Sequence, residues 1–549
     1  MNRRQFLQST ATLATAASAS WLGYRYLARP PGISVNKVGL PLAHMLRDGQ
    51  LNAAPSREHV CETLILGSGA AALSAAWHFA RNGYTNFCIA EGFERNGNNA
   101  AYAYLGSLKT PLTAPSGAHY LAQPSAESSH IRQMLADLGI IESYDSAGNP
   151  VYRDTDLVNA PDERLLINGA WQDGIIPQPH DPDTHRFFAL VAQLLHARGS
   201  DGRKLFAIPI ALSSQDAQWR ELDRHTFAGW LAAQGYQSPS LLWYLDYCCR
   251  DDYGQGIDQV SAYAGLHYFA ARGNEHAPVL TWADGLNHLS EALRRHAQIQ
   301  SRPQLPNARE LTFRQPESHP YIATQIDEQN DHVRVTLRHI RTGDTRLIRA
   351  QNVICAMPLN IAQRIIQSPQ RYGFAADFRL PLSAPWLISN FVLHSFPAEP
   401  KRTELAWDNI VYGSRGLGYV VASHQHIHVA KPGHTLFTAY TALNHDSPAN
   451  VRRQLLAAEP RDLLDIAAQD LLAAYGKRFW QHVAHIGITV RAHAMSAPSA
   501  GYLSQPTLLA LRQHQSRLHF AHSDLSGYSV FEEAAWWGVE AARRILAQR

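Results

Sequence analysis

The sequence predicts an α/β fold, and three separated stretches predict it. Val60 to Glu91 reads as strand, glycine turn, helix and second strand ending in an acid. Asn352-Val353-Ile354-Cys355-Ala356-Met357-Pro358 reads as a buried strand running into a proline. Arg517 to Leu546 reads as an apolar strand, a short polar loop and a closing helix. Together they describe a Rossmann-like dinucleotide-binding domain assembled from distant parts of the chain.

The first stretch is the most explicit. Thr63 to Leu66 is a short apolar run, and Gly67-Ser68-Gly69-Ala70-Ala71-Ala72 fits G-x-G-x-x-G/A. Gly67 allows the sharp turn, Gly69 lets the backbone approach a pyrophosphate, and Ala72 lets the helix pack closely on the strand. The helix, Ala71 to Arg81, presents free N–H groups and its positive dipole end at Ala70 and Ala71. The second strand, Phe87 to Ala90, delivers Glu91 to where an acid accepts ribose hydroxyls.

At 549 residues the chain is long enough for two sizeable cores. Its 45% hydrophobic content is that of a globular protein, and a net charge of +3 gives no reason to expect a nucleic-acid partner. The five cysteines, Cys61, Cys88, Cys248, Cys249 and Cys355, have no disulfide or metal spacing, and no metal site is expected. Adjacent Cys248-Cys249 bridge poorly and read as structural. No internal stretch is apolar enough for a transmembrane helix.

The N-terminus, Asn2-Arg3-Arg4-Gln5-Phe6-Leu7-Gln8, resembles a twin-arginine export motif. An Ala/Thr/Ser-rich run to Ser20 follows, with Ala17-Ser18-Ala19 as a cleavage site. The twin-arginine translocase is thus an expected partner, and the periplasm the expected destination. An uncut signal would add a peripheral or anchored contact with the inner membrane. Residues 20–56 read as a tether.

After Glu91 comes Gly92-Phe93-Glu94-Arg95-Asn96-Gly97-Asn98-Asn99. From this point the sequence resembles the flavin-containing amine oxidase superfamily, whose members follow the acid with a G-G-R loop. Gly97 matches the first glycine, while Asn98 and Asn99 stand where the second glycine and the arginine would be. Ser116-Gly117-Ala118-His119-Tyr120 resembles the next cofactor segment, which implies that Gly117 and Ala118 press on the flavin and that His119 and Tyr120 lie near its ring. Trp282-Ala283-Asp284-Gly285 resembles the loop that returns the chain to the cofactor domain, and Ala356 with Pro358 matches the segment closing the cofactor sheet.

Phe520-Ala521-His522-Ser523-Asp524 resembles the last FAD motif, with His522 in place of a glycine and the acid one position late. The resemblance implies that Ser523, Asp524, Tyr528 and Ser529 border the cofactor, with Tyr528 in the place of an aromatic-cage residue. No cysteine follows Cys355, which implies non-covalent FAD. The lysine that many relatives place near the flavin has no assignable counterpart, Lys109 being a poor candidate by position.

The resemblance completes the fold class: an amine-oxidase-like two-domain flavoprotein, with a discontinuous FAD-binding domain on a mixed sheet and an α+β substrate domain. The expected division is signal and tether at 1–56, cofactor-binding parts at 57–125, 276–370 and 491–549, a largely helical insert at 126–275, and a substrate-domain sheet with helices at 371–490. In the insert, Trp243 to Arg272 is dense in acids and aromatics. Asp251 and Asp252 read either as a network docking the insert or as part of a cavity suited to an amine through ion pairing and cation–π attraction.

The expected function is FAD-dependent oxidation of an amine, with oxygen or a periplasmic acceptor taking the electrons. Two alternatives stay open: a desaturase or isomerase on an apolar substrate, and a catalytically silent flavin-binding protein in a periplasmic assembly.

Overall fold

The computed structural model describes residues 32–104, 111–273, 277–425 and 433–549. The twin-arginine segment and Lys109 lie outside the described residues. Two large sheets organise the rest.

The cofactor sheet is built on β2 (Arg57–Leu66), flanked by β3 (Phe87–Ala90) and β4 (Thr345–Cys355), both parallel to it. Leu64, Ile65 and Leu66 are fully buried, as a strand covered on both faces requires. The antiparallel pair Tyr321–Glu328 and Val333–His339 extends the sheet beyond β4 and makes it mixed. The short strand β5 (Leu518–Phe520) returns from the far end of the chain to pair in parallel with β4.

Helix α1 (Ala70–Arg81) covers this sheet, with Ala71 to Trp77 and Phe79 buried. The closing helix α2 (Phe531–Leu546) crosses it through small residues. A Cβ on Gly538 would lie 2.0 Å from the Ala71 carbonyl oxygen, so only glycine permits this approach. Gly538→Ala is expected to force the helices apart at a cost of about 1–3 kcal/mol, read as a lowered unfolding midpoint.

The second sheet has eight strands. Its centre is Leu382–Leu393, antiparallel to Thr435–Ala442 on one side and to Val483–Ala497 on the other. The sheet expected within 371–490 is present, with strands Leu382–Leu393, Tyr419–Val421 and Thr435–Ala442 among its members.

Two expectations are corrected at its edges. Residues 32–47 do not form a featureless tether. Gly32–Lys37 is a strand parallel to Val483–Ala497, and Leu40–Arg47 is a helix. Ile33 and Val35 pack on the core of the second sheet, an alternation too short to read without its partner strand. Gly39, at φ 62°, turns the chain tightly against Phe93.

The insert is also less uniformly helical than expected. Glu163–Ile167 and Ala170–Asp173 form a hairpin that joins the second sheet alongside Asp408–Val411. Its turn is Asn168-Gly169, at φ 52° and 77°, the pair of positive values that a tight two-residue hairpin demands.

The insert's helices include Ser129–Asp137, Pro182–Leu194, Phe227–Ala233, Pro239–Tyr253 and Ala262–Ala270. Cys248 and Cys249 are buried and free within one of them. Among the described residues no helix is long and apolar enough to cross a membrane.

Candidate active site

A cavity of about 1100 Å³ opens at the carboxyl ends of the cofactor strands, where open α/β sheets place their ligands. Those strand ends are tied together: the Gly67 N–H donates to Ala90 O at 2.8 Å, Ala356 N–H to Leu66 O at 2.9 Å, and Ala521 N–H to Cys355 O at 3.0 Å. Gly67 sits at φ 112°, and a Cβ there would meet Ala356 O at 2.4 Å. A Cβ on Gly69 would meet nothing within 4 Å, because that position faces open space. Ala70 and Ala71 follow at the cavity wall in the first turn of α1.

Glu91 also lines the cavity. Its Oε1 is 3.4 Å from Arg294 Nη1 yet accepts no hydrogen bond, which leaves a buried acceptor for a ligand hydroxyl. An open helix N-terminus, two glycines at the turn and an orphaned carboxylate oxygen together fit the phosphates and ribose of a dinucleotide.

From there the cavity passes the turn Gly97–Asn99, then Gly117 and Ala118, with Ala356, Pro358, Ser523, Asp524 and Ser529 around it. The amides of Asn98 and Asn99 are turned to protein partners. Asn98 Nδ2 donates to Ala494 O, and Asn99 Nδ2 to Ser290 Oγ at 3.2 Å. These side chains brace the loop. Asp524 is likewise engaged internally, accepting from Ser496 Oγ at 2.6 Å and from Leu359 N–H at 2.8 Å. Burial alone would raise its pKa; His522 and these hydrogen bonds outweigh burial and hold it below the usual carboxylate value.

Beyond Gly117 the wall becomes aromatic and acidic. The His119 ring stacks on Tyr440 at 4.3 Å and lies 5.6 Å from Trp407. Burial lowers His119 to about 3, so it is a neutral wall and carries no charge at neutral pH. Tyr120 donates from its hydroxyl to Asp251 Oδ2 at 2.9 Å. Asp252 lies 3.5 Å from Arg272, whose Nε is 3.5 Å from Glu532 at the start of α2. Asp251 has no ion-pair partner among the described residues, and burial with the neighbouring Asp252 charge pushes it up to about 7.

All the predicted site residues line this cavity except Tyr528. That assignment is corrected. Tyr528 is turned into the core, stacked on His267 at 4.7 Å and 5.6 Å from Tyr253, while Ser529, Val530 and Phe531 face the cavity. Among the lining residues that the sequence does not single out are Arg272, Trp386, Tyr440 and Arg491. Among the described residues no lysine lines the cavity and no cluster suited to a metal ion occurs.

The sequence profile of flavin containing amine oxidoreductases matches residues 72–546. The chain belongs to that family. Its cofactor is FAD, and this amine oxidoreductase is an FAD-dependent enzyme.

Solved structures agree on the fold. A redesigned putrescine oxidase aligns at a TM-score of 0.60 with 15% identity, over 90% of this chain and 100% of its own. Cyclohexylamine oxidase from Brevibacterium oxydans aligns at 0.57 with 17% identity, over 89% and 99%. A fatty acid isomerase from P. acnes that produces CLA aligns at 0.56 with 16% identity, over 88% and 98%. Among curated proteins, none matches.

One buried acid beside the site yields a stability prediction. Glu533 accepts from Ile210 N–H at 2.6 Å and from Ser526 Oγ at 2.5 Å, and burial raises it from 4.5 to about 7. Between those values the folded chain keeps a proton that the unfolded chain has released. Its contribution is therefore full below pH 4.5 and is lost as pH rises to about 7. Relative to the native protein, Glu533→Gln should become progressively more stable from pH 5 to pH 7, read by thermal unfolding at each pH.

Proposed function

We propose that this enzyme oxidises a small primary amine after export, using non-covalently held FAD. The observation that carries the reading is Asp251. It faces the cavity, its partner is the Tyr120 hydroxyl and not a cation, and the stacked rings of His119 and Tyr440 stand on the same wall. The nearby charges favour a cationic guest. Arg272 answers Asp252 and Glu532, which leaves Asp251 without a cation of its own.

FAD held along Gly67–Ala71, Glu91 and Gly117-Ala118 would supply the hydride acceptor for the carbon beside the amine nitrogen. The protein's part is to bind, orient and deprotonate. An ammonium docked at Asp251 ion-pairs with it and gives up a proton to it, leaving the neutral amine from which a hydride can depart. The aromatic wall excludes water and attracts the cation. Oxygen or a periplasmic acceptor then takes the electrons. Steady-state turnover of mono-, di- and polyamines beside the corresponding alcohols tests this reading. Amines should be oxidised and alcohols not, and equal rates for both would refute it.

Export and cofactor attachment have their own tests. Replacing Arg3 and Arg4 by Lys should hold the enzyme in the cytoplasm, read by cell fractionation. Acid precipitation should release all the flavin to the supernatant, since none of the five cysteines lines the cavity. Flavin remaining with the pellet would show a covalent link.

A further inference from the structure

The loop after Glu91 has Asn99 where relatives carry an arginine, yet a guanidinium stands beside it. Arg491 reaches in from Val483–Ala497, a strand of the second sheet, and lines the cavity with only 5% of its side chain exposed. Its Nε donates to Ser116 O at 2.5 Å and its Nη1 to Asn98 Oδ1 at 3.0 Å. Its Nη2 donates to Glu94 Oε2 at 2.9 Å and to Ser116 Oγ at 2.9 Å. Glu94 in turn accepts from Tyr102, and Tyr102 from Asn36 of the N-terminal strand.

A guanidinium has five N–H bonds, and four are used here. The fifth is on Nη1. On the Nε side of the same guanidinium, Gly117 has no side chain to intervene: a Cβ there would sit 3.4 Å from Arg491 Nε and 1.9 Å from Asn98 O. We propose that Arg491, supplied by the second sheet, is a cofactor-binding residue whose remaining N–H donates to bound FAD where the loop has lost its own arginine. The inference rests on FAD as the cofactor and is independent of the amine reading.

The competing account makes Arg491 a bolt between the two sheets and nothing more. Arg491→Gln and Glu94→Gln both weaken the bolt, but only the first removes the donor. The rate of FAD release from the holoenzyme is followed as rising flavin fluorescence on dilution, and the unfolding midpoint by circular dichroism. Both variants should unfold at lowered temperatures, Arg491→Gln the lower of the two. Arg491→Gln should release FAD about 10- to 100-fold faster, the loss of one charge-assisted hydrogen bond, and Glu94→Gln within about threefold of the native rate. Equal acceleration in both variants, or none in Arg491→Gln, overturns the proposal. Where Arg491→Gln does not fold, Arg491→Lys decides. It keeps a charge but lacks the planar fork, so native FAD retention in that variant overturns the proposal as well.

Discussion

Asp251→Asn is expected to lower kcat/KM for amines about 100-fold while leaving the flavin bound. The asparagine still accepts from the Tyr120 hydroxyl, so the wall keeps its shape, but the negative charge is gone. Loss of a buried, charge-assisted contact is worth about 2–5 kcal/mol, and 2.7 kcal/mol is 100-fold. The pH profile separates this role from a packing defect. In the native enzyme Asp251 is protonated below about 7 and ionised above it. An ammonium is attracted only by the ionised form, so kcat/KM should rise with pH through about 7. In the variant that rising limb should vanish, and kcat/KM should stay low on both sides of it. A uniformly slower enzyme with the limb intact would show that Asp251 does not meet the substrate.

Gly117→Ala is expected to abolish flavin binding, and with it activity. The added Cβ would lie 1.9 Å from Asn98 O. Both sides of that clash are backbone, held by Ala118 N–H donating to Asn98 O at 3.3 Å and by Tyr440 donating to Gly117 O at 3.2 Å. Neither can give way without moving the Gly97–Asn99 turn or the aromatic wall. The variant should purify colourless and folded, with native far-ultraviolet circular dichroism. Retention of native visible absorbance would mean that the loop yields more readily than its hydrogen bonds imply.

The contrast between these residues and Arg491 shows where the sequence is readable. The strand, glycine turn, helix and acid from Thr63 to Glu91 lie within one contiguous βαβ unit, so their spacing alone identifies them. Gly97, Gly117-Ala118, Ala356 and Ser523 could be found because each sits in a short motif at a strand end. Arg491, Tyr440 and Trp386 come from the second sheet, and only the pairing of its strands brings them to the cavity. No local pattern announces that placement.

Other misreadings have equally physical causes. Strand Gly32–Lys37 has three outward and three inward residues, too short a run to stand out without Val483–Ala497 beside it. The hairpin at 163–173 carries a usable signal in Asn168-Gly169 between the short apolar runs Leu165–Ile167 and Ala170-Trp171. The resemblance puts Tyr528 in the place of an aromatic-cage residue. The 3-10 turn Ser523–Leu525 and Gly527, at φ 77°, redirect the backbone, so that Tyr528 points into the core and Ser529 takes the cavity side.

The proposed amine chemistry is tested most directly by anaerobic titration of the purified yellow protein with putrescine and with cyclohexylamine. The account predicts that at least one of these bleaches the visible flavin absorbance to completion, and that Asp251→Asn bleaches far more slowly under the same conditions. A native protein reduced by dithionite but by neither amine, nor by others of the mono-, di- and polyamine panel, would contradict it.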